Sequence, residues 1–134
     1  QQVWAQIEHY DLGERIRIHG GIPMTELSDF YQSADIFVLP TFYEGYGMAF
    51  AEAMSYGLPI IASGNGAVTS TVPPTAGFHV GAGDPIALGK AVETLLTRDD
   101  VRCKLAEGAL AAARALPDWS ASAKAFACTL EAHS

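Results

Sequence analysis

Residues 34–63 read ADIFVLPTFYEGYGMAFAEAMSYGLPIIAS, and the order of elements in that stretch decides the fold: strand, glycine-containing loop, helix, strand. Residues 36–39 form an unbroken apolar run, the pattern of a strand buried on both faces in a parallel sheet. Pro40 ends it. In Glu44-Gly45-Tyr46-Gly47 two glycines let the backbone turn sharply and approach a ligand closely. Residues 47–56 are rich in Ala and Met and predict a helix, with Gly57 as its stop and Pro59 just beyond. Residues 59–62 predict the next strand. Two carboxylates, Glu44 and Glu52, stand with seven residues between them across the loop-to-helix junction.

Outward from this stretch the same alternation continues. Residues 1–10 predict a helix with Val3, Trp4 and Ile7 on one face, ended by Asp11-Leu12-Gly13. Residues 15–19 (RIRIH) alternate as a short strand does. Gly20-Gly21-Ile22-Pro23 is a turn, and Thr25 is placed as the N-cap of a helix through Ser33 whose apolar stripe is Leu27, Phe30 and Tyr31. Beyond the central stretch come a loop at 63–67, a helical turn at 68–72 and a strand at 77–80. Asp84-Pro85 is a strong helix start, an N-cap followed by proline at the first helical position. That helix reaches about Thr97. Asp99-Asp100 opens another, with acids where the dipole favours them, running to about Leu116, and a last helix is expected over about 120–132. Strands alternating with helices imply βαβ units. The expected fold is α/β, a Rossmann-like parallel sheet of about four short strands flanked by helices, with residues 1–134 as a single domain.

The bulk properties narrow the function. The chain has 134 residues, 49% hydrophobic and 17% charged, a globular balance. No apolar run approaches the roughly 18 residues of a membrane span. The chain opens on Gln1-Gln2 with no basic and apolar leader, and the lack of an initiator Met suggests a processed chain or a piece of a longer one. Cys103 and Cys128 have no metal-ligand spacing and read as free thiols in a reducing compartment, which points to the cytoplasm. A net charge of −7 disfavours nucleic acid and anionic membranes as partners. Between Gly20 and Phe78 there is no Lys, Arg or His, but there are five acids: Glu26, Asp29, Asp35, Glu44 and Glu52.

The central stretch resembles the carboxylate signature of retaining, nucleotide-sugar-dependent glycosyltransferases of the GT-B type, the group 1 glycosyl transferases. That signature is two glutamates separated by seven residues and followed by A-M-x-x-G-x-P. Here it stands as EGYGMAFAEAMSYGLP (residues 44–59). The likeness extends to Arg17-Ile18-His19-Gly20-Gly21-Ile22, similar to the strand and turn that line the base pocket. It also covers ADIFVLP at 34–40, GFHV with Gly83-Asp84-Pro85, and the bend at Asp118-Trp119-Ser120. There are departures. Gly66-Ala67-Val68-Thr69-Ser70 ends in Ser where Glu is common, and nothing before Gln1 supplies the family's first strand, G-R-x-x-x-x-K loop and long helix.

The resemblance implies a truncated nucleotide-sugar-binding domain, part of the C-terminal half of a GT-B fold. It assigns Glu44 to the donor sugar, as the catalytic residue, and Glu52 to the ribose. Gly45, Tyr46, Gly47, Met48 and Ala49 would bind the donor, and Gly20, Gly21 and Ile22 the base. The residues suit those roles. Ligands of open α/β sheets bind outside the carboxyl ends of the strands, where the 41–47 loop sits. Free N–H groups at Gly47, Met48 and Ala49, with the helix dipole, can hold a diphosphate. An ionised carboxylate only accepts hydrogen bonds, so the glutamates suit vicinal hydroxyls and not phosphate. Helical side chains lean towards the N-terminus, which lets Glu52 reach back towards the loop. Tyr43 and Tyr46 either wall the sugar site or pack. His19 and His79 read as structural and Asp84 as a cap.

No D-x-D pattern occurs, so no metal and no cofactor is expected; the donor, a UDP-, GDP- or ADP-sugar, is a substrate. The expected partner is an N-terminal acceptor domain of the same enzyme, through which any membrane association would run. The missing opening would carry the Arg and Lys that neutralise a departing diphosphate. The chain alone is therefore expected to be inactive. The alternative reading is a non-catalytic nucleotide-binding or interaction module of α/β fold.

Overall fold

The computed structural model describes residues 2–43, 45, 47–63 and 67–117. The chain divides into two compact units, Gln1–Phe30 and Tyr31–Ser134.

In the first unit, α1 (Gln2–His9) buries Ile7, while Val3 and Trp4 stay exposed. It ends in a Schellman arrangement. The Leu12 N–H donates to the Ile7 carbonyl at 2.9 Å and the Asp11 N–H to that of Glu8 at 3.1 Å, with Asp11 in the left-handed region at φ 53°. The strand expected over 15–19 is not there. Arg15 lies in the turn that follows, its N–H and that of Ile16 bonded back to the Leu12 carbonyl at 2.9 and 3.0 Å, and residues 16–20 pair with no strand among the described residues. Alternation makes a strand only where a ladder partner and a surface for the apolar face exist. Here Ile16 and Ile18 remain 41% and 43% exposed. Helix α2 (Met24–Ser33) begins two residues earlier than expected, so Thr25 lies in its first turn instead of capping it. The Pro23 carbonyl takes the opening bonds, from the N–H of Glu26 at 2.9 Å and of Leu27 at 3.2 Å.

The second unit holds β1 (Phe37–Leu39), α3 (Met48–Ser55), β2 (Ile60–Ser63), α4 (Ala67–Thr71), β3 (Gly77–Val80), α5 (Pro85–Thr97) and α6 (Asp99–Ala115). The strands form a parallel sheet in the order β1-β2-β3, with Phe37 opposite Ile60 and Ile60 opposite Gly77. The α/β class holds, with three strands in place of about four. Central β2 is buried throughout, as its uninterrupted apolar run requires. Its side chains alternate between faces. Ile60 and Ala62 join Phe50 and Met54 of α3, Val68 of α4 and Ala109 of α6 in one core. Ile61 joins Ala91 and Leu95 of α5 and Leu105 of α6 in the other. Edge strand β1 splits the same way, Phe37 and Leu39 to the first core and Ile36 to the second, but its middle residue, Val38, is exposed. Burial on both faces therefore holds for β2 and only in part for β1.

The helix boundaries follow their local chemistry. Gly57, at φ 74°, closes α3 as a second Schellman arrangement: its N–H bonds the Met54 carbonyl at 2.9 Å and the Leu58 N–H that of Ala53 at 3.2 Å. The Asp84 carboxylate accepts from the N–H groups of Ile86 at 3.1 Å and Ala87 at 2.9 Å, the cap that the Asp-Pro pair predicts. The helix expected over 120–132 lies outside the described residues. No helix among the described residues is long and apolar enough to cross a membrane.

Candidate functional site

The carboxyl ends of β1 and β2 open onto the N-terminus of α3. Its N-cap is Gly47, left-handed at φ 80°, ψ 39°, which supplies no side-chain cap of its own. The Gly47 carbonyl starts the helix by accepting from the N–H groups of Phe50 at 3.0 Å and Ala51 at 3.3 Å. The Met48 and Ala49 N–H groups precede any intrahelical acceptor and lie at the positive end of the helix dipole. Glycine is required here twice over. An L-side chain is strained at this φ, and a Cβ on Gly47 would lie 2.9 Å from Cδ2 of the fully buried Phe50 and 3.7 Å from Thr71 Oγ1. The backbone at the helix mouth is therefore left bare of side chain at its cap.

Glu52 is on the same helix, one turn in, and half-buried. Its Oε2 accepts a hydrogen bond from the Tyr31 hydroxyl at 3.2 Å. Tyr31, in the last turn of α2, is held by rings on two sides. It stacks on Tyr56 with centroids 5.2 Å apart and lies tilted against Phe37 at 6.0 Å. Phe37 in turn meets Phe50 edge-on at 5.9 Å. Burial, and then the Glu52 charge and its hydrogen bond, push the Tyr31 phenol above its ordinary range. It therefore keeps its proton at neutral pH and serves as a donor.

Around this centre, Ser63 at the end of β2 donates to the Thr41 carbonyl at 2.8 Å, tying the loop after β1 to the neighbouring strand. The Thr41 hydroxyl is buried and has no hydrogen-bond partner among the described residues. A shallow cleft of about 230 Å³ opens beside it at the ends of β1 and β3, lined by Pro40, Phe42, Val80, Gly83 and Leu88, among others.

The structure brings Gly47, Met48, Ala49 and Glu52 together on one helix, with Gly45 exposed in the loop before it. Glu44 and Tyr46 lie outside the described residues. Tyr43 is exposed, on the side of an open loop residue and not of packing. Gly20, Gly21 and Ile22 belong to the first unit, where Gly20 turns the chain at φ 67°. His19 sits edge-on to Phe30 at 4.7 Å. His79 donates from Nε2 to the Val72 carbonyl at 2.8 Å, a structural role that also fixes its tautomer. Sequence reasoning missed Tyr31, Thr41 and Ser63. A tyrosine in an apolar stripe is itself a signal, because its hydroxyl seeks a partner when its ring is buried.

The profile of the glycosyl transferases group 1 family matches residues 1–111. The chain belongs to that family. Among its curated relatives, a D-inositol 3-phosphate glycosyltransferase of Xylanimonas cellulosilytica is 33% identical over 114 residues, covering 84% of this chain and 27% of the relative. Among solved structures, the sucrose-phosphate synthase of Thermosynechococcus elongatus superposes with a TM-score of 0.85 at 30% identity, over 99% of this chain and 34% of that one. Anabaena HepE, solved in complex with UDP and glucose, gives 0.86 over 98% of this chain and 36% of its own, and at 22% identity it shows the fold alone. The chain thus spans between 27% and 36% of the length of these three proteins.

Proposed function

We propose that this chain is the donor-binding part of a retaining glycosyltransferase, which moves a sugar from a nucleoside-diphosphate sugar to a hydroxyl acceptor. The observation that carries the reading is the pairing on α3 of a bare, left-handed Gly47 cap with Glu52 one turn further in. The Met48 and Ala49 N–H groups take the diphosphate. Glu52 accepts from the ribose hydroxyls, and charge-assisted bonds of this kind contribute roughly 1.5–3 kcal/mol each. Glu44 and Tyr46 serve the donor sugar, Gly45 shapes the loop, and Gly20, Gly21 and Ile22 take the base through backbone groups.

In this reading the sugar C1–O bond to the diphosphate breaks and the acceptor hydroxyl oxygen bonds C1 on the same face as its proton passes to the departing diphosphate oxygen, with no protein nucleophile. Charge building on the diphosphate is stabilised by fixed N–H dipoles and by cations supplied from outside residues 20–78. The step is assigned no metal, and the enzyme is placed in the cytoplasm. Family membership and relatives named as glycosyltransferases support sugar transfer by the full protein.

Glu52→Ala in the full-length protein tests the assignment. Donor affinity should fall by about tenfold or more; unchanged affinity and turnover would sink it. The absence of any Lys, Arg or His between Gly20 and Phe78 favours a second reading, a nucleotide-binding module without activity of its own. Robust glycosyl transfer by the 134-residue chain alone would rule that out.

A further inference from the structure

We infer that Tyr31 is a positioning residue for Glu52 and thereby sets how strongly the site discriminates ribose from deoxyribose. The inference rests on the reading of Glu52 as the ribose-binding carboxylate. A glutamate has three side-chain torsions, and one that grips two adjacent hydroxyls must hold its carboxylate plane in a single orientation. Ordering such a side chain costs free energy on binding unless it is ordered beforehand. The Tyr31 hydroxyl donates to one oxygen of that carboxylate, Oε2, at 3.2 Å. Each carboxylate oxygen has two acceptor sites, so this bond fixes the group and still leaves both oxygens able to accept from a diol.

The donor is itself fixed. Tyr31 stacks on Tyr56 with an interplanar angle of 22° and leans on Phe37, and Phe37 is locked edge-on by the fully buried Phe50. The aromatic ladder Tyr56–Tyr31–Phe37–Phe50 therefore carries the rigidity of the core to the carboxylate. Tyr31 and Glu52 are 21 residues apart in sequence, so no local helical pairing accounts for the contact. Hydrogen bonding alone would satisfy the phenol equally well through water at this half-buried position. The choice of a carboxylate 21 residues away over water is better explained by the need to orient the carboxylate.

The test titrates the full-length protein with UDP, GDP and ADP, takes the tightest, and repeats the titration with its 2′,3′-dideoxy counterpart. In the unmodified protein the ribose form should bind about tenfold or more tightly, and Glu52→Gln should erase most of that ratio. Tyr31→Phe keeps the ring and its packing; it should cut the ratio by about three- to tenfold while the melting temperature moves little, and the double variant should lose no more than Glu52→Gln alone. A merely structural tyrosine would move the melting temperature and leave the ratio intact. If Tyr31→Phe keeps the full ratio while Glu52→Gln loses it, the positioning role is wrong and the ribose assignment survives. If Glu52→Gln keeps the full ratio, the ribose assignment fails and the inference falls with it. Should Tyr31→Phe not fold, Tyr56→Leu, which removes the stacked ring at an exposed position, should lower the ratio in the same direction, and an unchanged ratio there overturns the positioning role.

Discussion

The Thr75 carbonyl oxygen fills the space that a Cβ on Gly108 would need. Helix α6 thus crosses the loop before β3 in backbone contact, and only a hydrogen at position 108 permits it. Gly108→Ala must push the helix off the loop and disturb the core that Ala109 completes. Overpacking against backbone costs about 3 kcal/mol or more. Gly89, in the interior of α5, is exposed and has nothing within 4 Å of its Cβ position. Gly89→Ala should stabilise by about 0.5–1 kcal/mol. Urea denaturation of the pair should show shifts of opposite sign; two shifts of the same sign would contradict the packing described.

Gly47→Ala should harm both fold and site. The left-handed φ costs an L-residue about 1–2 kcal/mol, and Phe50, fully buried, has no room to retreat from the new Cβ. Thermal unfolding should report that loss. Isothermal titration with the tightest-binding nucleoside diphosphate should show weaker binding than in the parent protein, since the helix mouth shifts. A variant as stable as the parent would show that the cap conformation is not fixed.

Ser63→Ala should cost about 1–2 kcal/mol, because Ser63 is 1% exposed and its hydroxyl is the partner of the Thr41 carbonyl. Among the described residues the buried Thr41 hydroxyl already has no partner, and the loop after β1 would then lose the partner of its Thr41 carbonyl as well. Faster amide exchange over residues 40–43, with β3 unaffected, is the signature to seek. Uniform destabilisation of the whole sheet would argue for a different role of the serine.

Alkaline pH should uncouple Tyr31 from Glu52. The phenol is raised in the folded state, so the folded protein holds this proton more tightly than the unfolded chain does. Its stability contribution is complete below the ordinary tyrosine value of about 10 and is lost as pH rises through the higher folded value. Neutral pH should show no dependence from this source. Tyrosinate absorbance during a titration should contain one late component that Tyr31→Phe removes; its persistence in that variant would assign the raised group elsewhere.

The fold was legible wherever a local rule and the tertiary structure agree. Residues 59–62 predicted the strand β2, Asp84-Pro85 predicted a capped helix start, and Gly57 before Pro59 predicted the end of α3, whereas the burial on both faces expected of residues 36–39 belongs to β2. The pattern at Ile16 and Ile18 misled because a strand is a property of a pair, and alternation says nothing of whether a partner exists. Thr25 misled for a related reason: the Pro23 carbonyl had already begun the helix. In the sequence Gly47 and Glu52 stand at the cap and one turn into the predicted helix, and the structure places them there. What holds Glu52 was not legible. The Tyr31–Glu52 bond joins residues 21 apart in sequence, and Tyr31 read equally well as one more apolar stripe residue.

The sheet order β1-β2-β3 bears on how the chain is made. Strands that neighbour one another in space also follow one another from the ribosome. The most buried of the described strands, β2, emerges after β1, so it meets β1 already synthesised and becomes the template on which β3 docks when it appears. None of these three strands has to be threaded between the other two, which shortens the time the sticky β2 is exposed during synthesis.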